Sequence, residues 1–547
     1  MIVDFANRSA AADLEVDLCI IGAGPAGISL ARSFMHSQVR VCLVESGGFD
    51  REHATQALCQ GTSTGELPFD MLTTRMRAFG GSSNLWGGGC IPLSSADLAA
   101  RAWVPDSGWP VGHAELTPYY RRALAECGIE GNDLGDGTFL TTPTRAPLGF
   151  ESGALVNQVF VLSPVYFGES YRRELQHAPN VTILLHANLL ELVAAPDATR
   201  VASARIACTD GRRGEVRAKQ FVLACGGIEN ARLLLLSDSV VPRGLGNQHD
   251  LVGRYFMDHP SGSLGTLTSG SPDGLTEPYR RYRRKGQRPA YPELCLSGET
   301  LRLQQMLSGR VRPVAVEAHV PRGLRALREL RACFSTPTRD ESMALDGQAA
   351  PAAAAALSRT KGKTPGGLAL LGMQALLGCV DIAAAFAHKR AGGPTVRTQH
   401  VELVGFFEQA PNPSSRITLG TERDLFGQPK VCVDWRFTAL DWHTYRTAGA
   451  LFGAELARVC GADYQPAPWL ARQHGPPEVS GTSHHMGTTR MANDPRHGVV
   501  DAQCKVHGVD NLYVVGSSVF PTGGWAFPTF TIVALSLRLG EHLRTRL

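Results

Sequence analysis

The sequence is short of the features that declare a function quickly. Its thirteen cysteines are scattered singly, from Cys19 and Cys42 to Cys504, with no CxxC pair and no His/Cys group at metal-ligand spacing. That excludes a zinc ribbon or a disulfide-stapled scaffold. An odd cysteine count without framework spacing predicts free thiols in a reducing compartment. There is no surplus of one charge: the formal net charge is only +4, too slight to point to nucleic acid or an anionic membrane. The opening residues, MIVDFANRSAAADLEVD, hold neither the basic nor the apolar part of a signal peptide, so the expectation is a cytoplasmic protein. One long apolar stretch exists, GGLALLGMQALLGCVDIAAAF from Gly366 to Phe386, but Gln374, Asp381 and four glycines interrupt it. The expectation there is a buried or lid-like helix, and no stable membrane insertion. No internal repeat is visible.

What is present is an ordinary globular composition on a large scale. The 547 residues are 43% apolar and 19% charged, too long a chain for one hydrophobic core and enough for two domains. The N-terminal segment alternates an apolar run, VDLCIIGAGPAG, a stretch of helical spacing, ISLARSFMHSQ, and a second apolar run, VRVCLVES, which reads as a βαβ unit. Further strands are read in NVTILLHANLLELVA and in RAKQFVLACGGIENARLLLLS, the latter running into a helix. From about Ser261 to Arg472 the texture changes. Charged, proline-rich and alanine-rich pieces separate short strand candidates in HVELVGFFEQ, SRITL and KVCVDW, and the low-complexity run from Pro351 to Lys363, within an alanine-rich region 340–395, reads as a mobile loop. Beyond Gly475 the glycine-punctuated style returns. The predicted fold class is α/β. A nucleotide-binding domain is built from residues 1–115, 160–260 and 475–547, with an inserted α+β substrate domain, mainly antiparallel in its sheet, from 116–159 and 261–474.

GAGPAG, from Gly22 to Gly27, follows a strand and opens a helix, the context that gives a GxGxxG pattern meaning. Gly22 permits the turn, Gly24 lets the backbone approach a pyrophosphate, and Gly27 allows helix and strand to pack closely. Pro25 and Ala26 begin a helix whose first N–H groups can face phosphates. Glu45, beside Ser46, closes the second strand 23 residues after Gly22, where a carboxylate can hold both hydroxyls of an unphosphorylated ribose. The fingerprint alone does not separate NAD from FAD; its place at the N-terminus, with a second glycine loop later, leans to FAD.

That second loop is RMRAFGGSSNLWGGGC, Arg75 to Cys90. Its glycines let backbone pass close against a flat ligand; a linker would not set Leu85 and Trp86 among five glycines. Here the sequence resembles the glucose-methanol-choline (GMC) family of FAD-dependent oxidoreductases, and within it the branch of pyranose oxidases and related sugar dehydrogenases. The resemblance is carried by GAGPAG with Glu45, FGGSSNLWGGG, WVPDSGWP, FVLACGGIENARLLL, VGRYFMDHP, HHMGTTRM, and VVDAQCKVHGVDNLYVVGSSVFPTGG; the inserted region matches mainly through EQAPNPSSRITL. It implies a Rossmann-like flavin domain, a sheet-based substrate domain, and oxidation of an alcohol to a carbonyl by hydride transfer to FAD. Flavin contacts are implied for Gly81, Ser82, Asn84, Leu85, Trp86, Gly87, Gly88, Leu189, Ala224, Cys225, Gly226, Gly516, Ser517, Pro528 and Thr529. Leu85 stands where some relatives carry a histidine that bonds FAD covalently, so non-covalent FAD is expected. Cys225 reads as a packing residue, because no second cysteine is placed to resolve it.

GTSHHMGTTRM, Gly481 to Met491, sets two histidines side by side. Oxidising an alcohol requires removal of the hydroxyl proton, and imidazole suits that task near neutral pH. The family pattern makes His484 the base. His485 takes the neighbouring place, with its side chain expected on the opposite side, and His259 in MDHP reads as structural. Relatives pair the base with a histidine or asparagine about forty residues later. That position is Phe527 in WAFPT, next to Trp525 in the expected substrate pocket, and phenylalanine has no donor or acceptor. Three readings stay open: oxidation of a sugar, cyclitol or secondary-metabolite alcohol with His484 as sole base; desaturation, cyclisation or rearrangement of an apolar or conjugated substrate in the same fold; or a non-catalytic flavin protein. The electron acceptor, oxygen or another carrier, is not readable, and no metal and no nucleic acid are expected.

Overall fold

The computed structural model describes residues 1–7, 13–130, 147–283, 288–318, 320–334, 365–390, 396, 398–472 and 477–547; the low-complexity run from Pro351 to Lys363 lies outside them. The apolar runs of the N-terminal half become a parallel sheet because each is buried on both faces and can be covered only by helices. In spatial order its strands are Ile2–Asp4, Val181–Leu185, Val41–Val44, Leu14–Ile21, Arg213–Leu223, Val201–Ala207 and Asn188–Ala194, with Leu512–Val514 alongside the far end of Arg213–Leu223. Pairing is parallel up to Arg213–Leu223 and its neighbour Leu512–Val514, and antiparallel in the last two strands. The helix Pro25–Ser33 joins Leu14–Ile21 to Val41–Val44 as the predicted crossover, with Pro25 in its first turn and Ile28, Leu30 and Ala31 fully buried.

A second eight-stranded sheet is antiparallel throughout. It runs Asp463–Pro466, Pro260–Thr268, Thr398–Phe407, Gly309–Glu317, Ala290–Leu296, Leu155–Leu162 and Gly89–Cys90, and Ser480–Gly481 pairs with Pro260–Thr268. A small third sheet joins Arg416–Arg423, Pro429–Trp435 and Gly61–Gly65. The strand candidates HVELVGFFEQ, SRITL and KVCVDW therefore all form strands. The helix His113–Glu126 packs against the helix Pro528–Arg544, on the side of the parallel sheet. Phe160, Arg310 and Phe406 of the second sheet reach Phe527 and His484 beside the first; the site lies at this junction.

The apolar stretch Gly366–Phe386 corrects its expectation. It is two helices, Pro365–Leu377 and Cys379–Arg390, bent by 64° at Gly378. Leu376 and Leu377 are 75% and 81% exposed. A helix that is apolar all round needs a partner to be buried, and the described residues supply one on only one side. No single described helix is long and apolar enough to cross a membrane.

Candidate active site

Four parallel strands end level. Ile21 pairs with Val44 and with Leu223, and Leu223 with Val514, so Gly22, Glu45, Ala224 and Val515, with Gly516 next after it, emerge at the carboxyl edge, where open α/β sheets take their ligands. A cavity of about 940 Å³ starts at this row and reaches the junction between the two large sheets. Its walls contain Gly22, Gly24, Pro25, Ala26, Glu45, Ser46, Gly81, Ser82, Leu85, Trp86, Gly87, Gly88, Leu189, Ala224, Cys225, Gly226, His484, His485, Gly516, Ser517, Phe527, Pro528 and Thr529. Three expected residues do not line it. Gly27 faces the strand, where a Cβ would overlap the Gly22 carbonyl oxygen. Asn84 turns inward and its Nδ2 donates to the Phe79 carbonyl at 3.0 Å, closing its own loop. Trp525 sits among the core side chains, 6% exposed, and does not line this cavity.

The cavity fits a dinucleotide. Gly22 has φ +103°, and a Cβ there would lie 2.6 Å from the Ala224 carbonyl oxygen, so only glycine makes the turn. Gly24 and Gly226 line the space with nothing within 4 Å of where a Cβ would stand, which keeps the backbone open to a close ligand. The Glu45 carboxylate is fixed by the Ala23 N–H at 2.9 Å and the Gly47 N–H at 3.1 Å, leaving lone pairs for a ribose. Cys225 is packed with its Sγ 3.1 Å from the Ile21 carbonyl, and burial pushes its thiol up to about 12, so it stays a thiol at physiological pH. His485 is buried, stacked on Phe69 and Phe256 with centroids 5.2 and 5.7 Å away. Burial and then the Arg75 charge pull its pKa down to about 3, and its Nε2 has no hydrogen-bond partner among the described residues although the ring lines the cavity. An orphaned buried nitrogen there is open to a polar group of a bound ligand.

The base candidate is held by groups that sequence reading did not connect. The buried Asp258 carboxylate gathers the N–H groups of His259, Ser483 and His484 at 2.7, 3.1 and 2.8 Å; burial pushes its pKa up to about 6. This fixes the His484 backbone beside His259. The His259 Nε2 lies 2.8 Å from the Gly524 carbonyl oxygen, and a carbonyl only accepts, so that nitrogen carries the proton. Burial lowers the His259 pKa to about 4; the ring is neutral and its Nδ1 is an acceptor. The His484 Nδ1 is 3.0 Å away and must donate to it, sharing its proton with Thr482 Oγ1 at 2.9 Å. The Thr482 hydroxyl can donate onward to the His259 carbonyl at 3.1 Å. Burial first, then His259, His485 and Arg310, keep the His484 pKa well below its ordinary value. His484 is therefore neutral with its proton on Nδ1, and its Nε2 bears a lone pair.

The glycine pair in FPTGGWAFPT explains itself in this chain of contacts. Gly524 has φ +57°, and a Cβ there would stand 2.7 Å from Leu93 and 2.9 Å from Asp97. Its N–H donates to the Glu408 carboxylate at 3.3 Å, which Arg101 holds bidentately at 2.7 and 2.6 Å. Phe527 follows as the N-cap of the helix Pro528–Arg544, with no side-chain cap. It is 4% exposed and packs on Phe160, Phe406 and His484 at centroid distances of 5.0, 5.7 and 5.7 Å. The Arg310 guanidinium lies 5.0 Å from its ring and pairs with Glu293 at 2.9 Å. His259 was in plain view in MDHP, but its pairing with His484 spans 225 residues, and no local signal marks it.

Fold and site together define an oxidoreductase of the dinucleotide-binding α/β type, with a neutral histidine facing the cofactor cavity. Residues 411–536 match the family model described as GMC oxidoreductase. The chain is 25% identical to 6'''-hydroxyparomomycin C oxidase of Streptomyces lividus over 98% of its own length and 92% of that protein. It is 24% identical to paromamine 6'-oxidase of Streptomyces fradiae over 95% and 90%. Pyridoxine 4-oxidase from Mesorbium loti shares the fold, with a TM-score of 0.55, 18% identity, and 97% and 99% of the two chains covered. The chain is similar to GMC oxidoreductases over nearly its whole length: it is an FAD-dependent enzyme that oxidises the CH–OH group of a small molecule.

Proposed function

We propose that the substrate is a sugar, cyclitol or amino-sugar alcohol of secondary metabolism, oxidised to the carbonyl over non-covalent FAD with His484 as sole base. The observation that carries the reading is the proton arrangement Gly524 O, His259, His484, which leaves His484 Nε2 free to accept a hydroxyl proton. When bound, FAD supplies the two-electron acceptor for the carbinol hydrogen. His484 takes the hydroxyl proton on Nε2, and the resulting imidazolium still donates from Nδ1 to His259, so the positive charge forms against a waiting lone pair. Leu85, which lines the cavity, cannot bond to the cofactor, and this supports dissociable FAD. Asp70, Thr73 and Thr74 line the same cavity and offer a carboxylate and hydroxyls to a polyhydroxylated or amino-bearing substrate. The relatives named as oxidases of 6'''-hydroxyparomomycin C and of paromamine support the same class. The thirteen cysteines, all thiols outside any disulfide, support a reducing, cytoplasmic setting.

A second reading is favoured by one observation, Phe527 in the cavity wall beside His484, backed by Phe160 and Phe406. It would suit an apolar or conjugated substrate and a desaturation, cyclisation or rearrangement. Without a partner at position 527, the substrate oxygen forgoes a hydrogen bond that is worth about 1–3 kcal/mol if the oxygen is buried. Anaerobic addition of aminoglycosides, free sugars and aryl alcohols to the purified enzyme separates the two. Bleaching of the flavin by polyhydroxylated alcohols supports the first reading, and bleaching by aryl or polyene substrates alone removes it. His484→Ala is expected to lower the rate of flavin reduction by about 10²–10⁴-fold while the FAD spectrum remains; undiminished turnover would take the base assignment away.

A further inference from the structure

The helix pair Pro365–Leu377 and Cys379–Arg390 is not used by the chemistry. It belongs to the connection between the neighbouring strands Gly309–Glu317 and Thr398–Phe407, and leaves from the end where Glu317 pairs with Thr398. The site lies at the other end, where Arg310 pairs with Phe406. Seven strand residues at about 3.3 Å each put roughly 23 Å between them, so the pair does not close over His484. Of the eleven large apolar side chains exposed among the described residues, six are here: Leu370, Met373, Leu376, Leu377, Val380 and Phe386. The most exposed, Leu376, Leu377 and Val380 at 75–81%, stand together at the 64° bend. The helix Pro365–Leu377 has no charged residue.

Beneath the pair packs the helix Arg322–Phe334, its Gly323 so close that a Cβ would stand 2.5 Å from the Gly378 Cα. Arg322, Arg325, Arg328 and Arg331 are all exposed along it; Arg328 pairs with Glu317. The three helices carry six basic residues, with Lys389 and Arg390, against Glu329 and Asp381. Their surplus is therefore +4, carried beside an exposed apolar bend. Helices of 13 and 12 residues reach about 20 Å each, short of the roughly 30 Å of a bilayer core. Exposed apolar side chains beside a helix of exposed arginines are the pattern of an interfacial anchor.

We propose that this three-helix projection docks the enzyme on an anionic phospholipid bilayer without spanning it, with Leu376, Leu377 and Val380 entering the acyl boundary and Arg322, Arg325 and Arg331 meeting lipid phosphates. The test is co-sedimentation of the FAD-loaded enzyme with vesicles of phosphatidylcholine alone or with about one-third phosphatidylglycerol. The expected result is binding to the anionic vesicles only, weakened by about 0.5 M salt and reduced tenfold or more in Leu376→Asp/Leu377→Asp and in Arg322→Glu/Arg325→Glu. Both variants should keep the flavin spectrum and the turnover of soluble substrate, which shows that they fold. Equal sedimentation with and without anionic vesicles overturns the proposal, as does binding that neither variant alters. Self-association in lipid-free solution, abolished by Leu376→Asp/Leu377→Asp in a protein that ignores vesicles, also overturns it and assigns the face to a second copy of the chain.

Discussion

At the residue scale, the base is defined less by His484 than by what holds its Nδ1. His259→Ala removes both the acceptor for that proton and the donor to Gly524. Both tautomers of His484 then become accessible, and the expectation is a loss of about 10²-fold in the rate of anaerobic flavin reduction with FAD still bound. Release of FAD with no separate rate effect would mean that His259 only supports the fold. Because the His484 pKa is held below its ordinary value, the acid limb of the kcat/KM profile should fall below pH 6.5, with activity level above it; a midpoint at or above 6.5 would contradict the assignment. His484 and the glycines of the fingerprint were legible because each sits in a short pattern with its own chemistry. His259, Asp258 and Thr482 were not, since their roles exist only once segments more than two hundred residues apart meet. Asn84 and Trp525 show the converse: both lie inside the right motif, but which way a loop side chain turns is settled by tertiary packing.

At the scale of elements, the helix Pro528–Arg544 begins one residue after the one departure from the family pattern. Asparagine is a favoured N-cap and phenylalanine a poor one, so Phe527 forgoes a cap as well as a substrate contact and is retained by its aromatic packing. Phe527→Asn should regain about 1 kcal/mol through the cap and lose about 3–5 kcal/mol of ring burial. The urea midpoint should therefore drop by an amount equivalent to about 2–4 kcal/mol, while flavin reduction by simple alcohols improves. A variant that is less stable yet no better on any alcohol would show that position 527 does not limit the chemistry. The strands on either side were readable from alternation and apolar runs. The bent helix pair was misjudged because uniform apolarity predicts burial only if a covering surface exists, and sequence does not say which surface that is.

At the scale of the whole molecule, buried imidazoles tie stability to pH. The folded His485 has its pKa near 3 against about 6.5 when unfolded, so between these values the unfolded chain binds the extra proton and stability is lost as pH falls. Buried carboxyls such as Asp441, pushed up to about 7, act in the opposite direction, so the effect is isolated by comparison. His485→Phe keeps the stacked ring and cannot charge. Relative to the native enzyme it should gain about 1.4 kcal/mol per pH unit below 6.5, read as urea midpoints at pH 7, 6 and 5; parallel midpoints would show that His485 is protonated in the fold. The parallel sheet has a further consequence, for synthesis. Its strand Leu512–Val514 aligns on Phe221–Leu223, so one wall of the cofactor cavity, with Gly516, comes from residues synthesised long after the Gly22 turn. At about 5–20 residues per second, the stretch between Gly22 and Gly516 takes roughly 25–100 s to appear, and throughout that time the nascent chain carries the phosphate-binding turn without the wall at Gly516. The cavity is thereby completed only when Gly516 joins a turn made long before it.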